Sequence, residues 1–205
     1  LERGVRIDKE YVAVGKRTGD DSYSTGRYVH RASGRECMLK MVSVSVVGDA
    51  KAASLLAQLS REARRMAQAA HPLYVVPVER LMEDTSKNGR SVVALETPWI
   101  AGGDLRGWVD ERRANVGDGE GDADLPAIGG VFNQLLKALE HVHGRKPCIV
   151  HRDVKPENVL VRDIARFDVA LCDFGIARAV GPSAEVRSCL LYTSDAADDS
   201  LRVDL

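Results

Sequence analysis

The stretch IVHRDVKPENVLV, Ile149 to Val161, places a His, an Arg, an Asp, a Lys and an Asn within eight positions, with an apolar run on either side. Polar groups between two buried segments are costly unless each finds a partner, so this density marks a site. A second polar knot, LCDFGIAR, begins at Leu171 and puts Asp173 fifteen positions after Asn158. Between them NVLVRD and DVALCD read as two short strands joined by a turn, and a hairpin brings its two ends together. Asn158 and Asp173 thereby become neighbours. An amide oxygen beside a carboxylate offers hard oxygen ligands, suited to Mg²⁺ bridging phosphates rather than to a thiophilic metal. Asp153, five residues before Asn158, is placed to accept a proton from an attacking hydroxyl.

Upstream of this pair, residues 11–47 alternate between strand-like runs (YVAVG, RYVHR, ECMLKMVSVSVV) and turns (TGDDSYSTG, ASGR), the pattern of an antiparallel meander. From Asp49 to Ala70 helix formers dominate, and Leu55, Leu59, Glu62 and Met66 fall on one stripe, until His71 and Pro72 end the helix. Strand-like segments return at YVVPVERLM and RSVVALETPWI, and AGGDL then breaks the chain. Five strands and one helix make a small mixed lobe. Next come a short helix at DLRGWVDERR, a Gly- and Asp-rich loop, and a helix from about Ile128 to His143 with Val131, Leu135, Leu139 and Val142 on one face.

Composition narrows the possibilities. With 205 residues, 44% hydrophobic and 29% charged, the chain is globular in type, and a formal net charge of -1 gives no basic footprint for nucleic acid. Cys37, Cys148, Cys172 and Cys189 show neither zinc-ligand spacing nor a disulfide framework, which fits a reducing, cytoplasmic setting. No apolar run approaches the roughly 20 residues of a membrane-spanning helix.

HRDVKPEN and DFG, in this order and spacing and preceded by a helix, resemble the catalytic loop and metal-binding motif of eukaryotic-type protein kinases. The resemblance implies a two-lobed α+β fold. Residues 1–100 would form the N-lobe, a five-stranded antiparallel sheet with one helix, and residues 101–188 the start of a mostly helical C-lobe, incomplete here. It implies ATP and Mg²⁺ as cofactors and a protein substrate with a Ser or Thr acceptor, because Lys155 follows Asp153 by two places as in Ser/Thr-directed members. His151 and Arg152 would organise the loop, Asp153 serve as catalytic base, Lys155 steady the transferring group, and Asn158 and Asp173 hold the metals. Lys40, taken alone a surface lysine, matches the lysine that pairs with the phosphates at the end of a strand, and Glu62 is its expected partner. In VVALETPWIAGGDL, counting back from Gly102 and Gly103 puts Thr97 at the back of the adenine pocket, with Pro98 and Ile100 in the hinge; an alternative register puts Leu95 there. Leu160 completes the expected nucleotide-binding set.

The sequence also departs from the family pattern. The phosphate-covering loop should read GxGxxG, and GDDSYS aligns with it, so Gly19 keeps its glycine, Tyr23 matches the usual aromatic, and Asp21 and Ser24 replace two glycines. Asp20 and Asp21 beside a triphosphate should weaken binding by like-charge repulsion, and Met38 stands where a small residue is usual. A pseudokinase scaffold with a weakened nucleotide pocket is thus the alternative to an active Ser/Thr kinase. Finally, CLLYTSDAADDSLRVDL, residues 189–205, resembles translated sequencing-adapter DNA, so the natural sequence is expected to break off near Ser188 and the chain itself to be inactive. The oligomeric state is left open.

Overall fold

A computed structural model describes residues 1–20, 22–45, 50–85, 90–115, 125–166 and 168–180. The glycine position expected at Asp21, the loop centred on residues 116–124 and the whole tail at 189–205 lie outside them.

The N-terminal half is built on one sheet. Its strands are β1 (Glu2–Arg3), β2 (Tyr11–Gly19), β3 (Tyr23–His30), β4 (Glu36–Ser45), β5 (Arg80–Thr85) and β6 (Arg90–Pro98), in the order β1-β5-β6-β4-β3-β2. Five strands pair antiparallel, as the meander pattern implies; the sixth, β1, is two residues long and runs parallel to β5, too short to leave a periodic signal. A four-residue helix, α1 (Ile7–Glu10), leads into β2, and α2 (Ala50–Ala69) follows β4.

Strand alternation in β4 divides the sheet's two faces. Cys37, Leu39 and Met41 point to one face, where they pack with Val5, Ile7, Tyr11, Tyr28, Met82 and Ala94. Met38, Lys40 and Val42 point to the other. Here Val42 meets Leu59, Ala63 and Met66 of α2 in a core that continues into the C-terminal half through Val159, Leu171 and Phe174. Burial on both faces explains why β4 reads as one long apolar run. Lys40 lies mid-strand rather than at the strand end expected from sequence.

The C-terminal half comprises α3 (Leu105–Asn115), α4 (Leu125–His143), the antiparallel pair β7 (Cys148–Val150) and β10 (Arg178–Val180), and the hairpin β8 (Val159–Asp163) with β9 (Asp168–Leu171). The strand expected from Tyr74 starts only at Arg80. Pro77 has no N–H for a ladder, and the residues before it turn away to the hairpin: Val76 N–H donates to Leu171 O at 2.9 Å and Leu171 N–H to Tyr74 O at 2.9 Å. That exchange ties the hairpin bearing the second polar knot to the sheet.

Candidate active site

A cleft of about 780 Å³, open to solvent, runs between the sheet and the β8–β9 hairpin. Met38 and Thr25 face it from β4 and β3, Leu95 and Thr97 from β6, Leu160 and Asp173 from the hairpin side. Lys40, Glu62, Pro98 and Ile100 also line it. Leu95 sits opposite Lys40 in the β4–β6 ladder and Thr97 opposite Met38, so Thr97 is the nearer to the segment joining the two halves. Gly102 packs so tightly that a Cβ there would lie 2.1 Å from Val161 O, which fixes that segment against β8.

At the inner end Lys40 Nζ lies 2.6 Å from Glu62 Oε1 and 3.5 Å from Asp173 Oδ1. Sheet, helix and hairpin each supply one charge. Burial alone would lower the Lys40 pKa, but the Glu62 and Asp173 carboxylates outweigh it and hold the ammonium above its ordinary value. Glu62 is 5% exposed, and burial pushes its carboxyl up, with Lys40 pulling back. Asp173 adopts φ 60°, which a short polar residue tolerates best after glycine, and its carboxylate accepts from Gly175 N–H at 3.2 Å. Its neighbour Phe174 is fully buried, edge-on to His151 with ring centroids 4.6 Å apart. Turning one residue into the core thus holds the other in the cleft.

The HRDVKPEN segment forms a second cluster. Asp153 Oδ2 lies 2.8 Å from Lys155 Nζ, and Asn158 Nδ2 donates to both Asp153 O and Oδ2 at 2.9 Å. The hydrogen bond from Lys155 holds the Asp153 carboxyl below the usual range, helped by Asn158. His151 is buried, and burial lowers its pKa. A neutral ring protonated on Nε2 satisfies both its contacts, donating to Cys172 O at 3.0 Å and accepting Asp153 N–H on Nδ1 at 3.3 Å. Cys172 N–H donates to Asn158 O at 3.0 Å, so the hairpin brings the two polar knots side by side as its length implied.

Two of the expected nucleotide-binding residues stand apart from the cleft lining. Tyr23 faces an adjoining hollow with Leu55, Leu59, Lys40 and Glu62, and Gly19 shapes the turn between β2 and β3. Among the lining residues that were missed, Thr25 and Asp104 carried a readable signal. Thr25 lies just beyond GDDSYS, two positions after Tyr23 on the same strand, and strand alternation would have found it. Asp104 follows the Gly pair and caps α3, its Oδ1 accepting Gly107 N–H at 2.8 Å; an Asp just before a helical run was the available signal.

The family model described as protein kinase domain matches residues 14–195. The chain is a member of the protein kinase family. It is similar to the serine/threonine-protein kinase PknL of Mycobacterium bovis, 30% identical over 87% of this chain and 39% of PknL. The mouse serine/threonine-protein kinase Nek1 is 28% identical over 93% of this chain and 14% of its own length, and zebrafish serine/threonine-protein kinase SBK1 is 40% identical over 38% and 20%. The kinase chain therefore spans about two-fifths or less of these relatives.

For a metal, this kinase site offers the Asp173 carboxylate in the cleft and, because Asn158 Nδ2 is engaged with Asp153, the Oδ1 of Asn158. Among the described residues no three His, Cys, Asp or Glu converge on one point. Two oxygen donors suit Mg²⁺, which keeps several waters and shares substrate phosphates. Among the described residues no helix is long and apolar enough to cross a membrane.

Proposed function

We propose that the protein containing this kinase domain transfers the γ-phosphoryl group of ATP to a Ser or Thr hydroxyl of a protein substrate. The observation that carries it is the joint presence of two charge clusters at bonding distance, Lys40 with Glu62 and Asp173, and Asp153 with Lys155 and Asn158. The relatives' names point to Ser/Thr acceptors, as does Lys155 two places after Asp153. Residues 1–100 would carry the nucleotide and the segment from 101 the catalytic loop, with ATP as donor placing the domain in the cytoplasm.

The adenine would lie between Met38 and Leu160, with Thr97 behind it and the backbone of Pro98 and Ile100 beside it; Asp104 would accept from a ribose hydroxyl. Lys40, oriented by Glu62, would bind phosphate oxygens. Asn158 and Asp173 would hold Mg²⁺, which when bound neutralises phosphate charge. Asp153 accepts the acceptor hydroxyl's proton as the new O–P bond forms and the bridging bond to ADP breaks, while Lys155 offsets the charge on the transferring group. The hydrogen bond from Lys155 holds the Asp153 carboxyl below its usual range, so the group is ionised at neutral pH.

Incorporation of labelled phosphate into a generic Ser/Thr substrate by the full-length protein, lost on Asp153→Asn, is the expected result. A second reading, a pseudokinase that binds nucleotide without turnover, is favoured by one observation: the turn between β2 and β3 is occupied by its own carboxylate, with Asp20 Oδ1 2.8 Å from Ser22 N. Measurable ATP binding with no phosphate incorporation would establish that reading instead.

A further inference from the structure

Backbone N–H groups in a tight turn form a concave anion site, and in kinases the turn between the first two long strands covers the nucleotide phosphates. In this chain those amides already have an anion. Asp20 Oδ1 accepts from Ser22 N–H at 2.8 Å and from Tyr23 N–H at 2.9 Å, and Asp20 N–H donates back to Tyr23 O at 2.8 Å. The turn closes this tightly only because Gly19 precedes it: φ is +109°, and a Cβ there would lie 2.2 Å from Tyr23 O. Asp20 Oδ2 lies 3.8 Å from Lys51 Nζ at the start of α2, the helix that carries Glu62. The two amides also hold the Asp20 carboxyl below its usual range, Tyr23 N–H contributing most, so the group stays charged at neutral pH.

We infer that Asp20 is a built-in anion: its carboxylate occupies the turn amides that would otherwise hold nucleotide phosphates, and so sets how much those phosphates contribute to binding. The inference rests on the nucleotide-binding reading of the cleft. A phosphate arriving at the turn meets amides already engaged and a fixed like charge beside them. The nucleoside, held between Met38 and Leu160 in a cleft whose lining does not include Gly19, Asp20 or Tyr23, is indifferent to Asp20. Binding energy therefore comes mainly from the nucleoside, and the turn grips the terminal phosphates only when Asp20 lets go.

The test is titration of the full-length protein with adenosine and with Mg·ATP, for wild type, Asp20→Ala and Asp20→Asn. The ratio of ATP to adenosine affinity is expected to rise about tenfold in Asp20→Ala, through freed amides and a lost like charge, with adenosine affinity unchanged. Asp20→Asn keeps a turn acceptor without the charge and is expected to fall between. Adenosine binding with the same ATP ratio in all three proteins, or a ratio that falls in Asp20→Ala, overturns the inference and leaves the nucleotide reading intact. Absence of adenosine and ATP binding in all three overturns both.

Discussion

Lys40 Nζ and Glu62 Oε1 are 2.6 Å apart although 22 positions separate them, one in the middle of β4 and the other on the buried face of α2. This contact joins the sheet to the helix, and the Asp173 carboxylate extends it to the hairpin. Because Glu62 is buried, the pair contributes through what its loss would leave behind. Lys40→Met strands a buried carboxylate and is expected to destabilise the protein by about 3 kcal/mol in urea unfolding. Adding Glu62→Leu should restore most of that loss while phosphoryl transfer stays abolished. A Lys40→Met variant as stable as wild type would show that the pair carries no structural weight.

Asp153→Asn tests the proton acceptor. Asn158 Nδ2 donates to both the backbone and the side chain of residue 153, and an amide oxygen keeps these bonds. The loop should therefore hold its shape. In the full-length protein phosphoryl transfer is expected to fall about a hundredfold or more, the range for loss of a general base, with nucleotide affinity within about twofold of wild type. Equal losses of rate and affinity would instead mean that Asp153 supports binding.

His151 gives the stability a pH dependence with a definite sign. Burial holds its pKa below the ordinary value, so as pH falls the unfolded chain takes up the proton first. Its contribution is complete above about pH 6.5 and declines below that, toward the folded value. Between about pH 7.5 and about pH 5.5 the urea midpoint should fall more in wild type than in His151→Asn, which has no proton to take up. Identical slopes would remove His151 as the source.

Gly102→Ala should separate the connecting segment from the hairpin. The added Cβ would stand 2.1 Å from Val161 O, backbone rather than a side chain that could swing aside. The expected cost is about 1–3 kcal/mol of stability, accompanied by weaker adenosine binding, because Ile100 and Leu160 line the same cleft on either side of the contact. Calorimetry on the variant and wild type measures both effects.

On α4, Ile128, Phe132 and Leu136 are 55%, 60% and 49% exposed and recur every four residues, which makes one apolar stripe on the helix surface. The chain should bind a hydrophobic dye and self-associate as concentration rises. Replacing Phe132 and Leu136 by Ser is expected to cut dye fluorescence by about half or more without loss of helix content. Unchanged dye binding would place the exposed surface elsewhere.

How much of this was legible in sequence depended on the range of the interaction. The hairpin joining Asn158 to Asp173 was readable because a two-strand unit is local: two apolar runs with a turn between them can close in few ways. The α2 stripe was readable too, and Glu62 on it stood out because a carboxylate on an apolar face needs a cation. The extra strand β1 was not, since two residues have no period. Nor was the departure of residues 74–76 from the sheet, where an apolar, β-branched run satisfies a strand pattern whichever partner it finds.

By itself, then, the sequence determined which polar groups stand in the two knots, the order of the longer strands and helices, and the family to which the chain belongs. Tertiary structure decided which charges meet. Only packing shows that Lys40 is shared between Glu62 and Asp173 and that the exposed Asp20 carboxylate accepts from the Ser22 and Tyr23 amides. The physical reason is that a residue type states what a group can bond to, whereas its partner is set by backbone geometry and by the cost of leaving buried polar atoms unpaired.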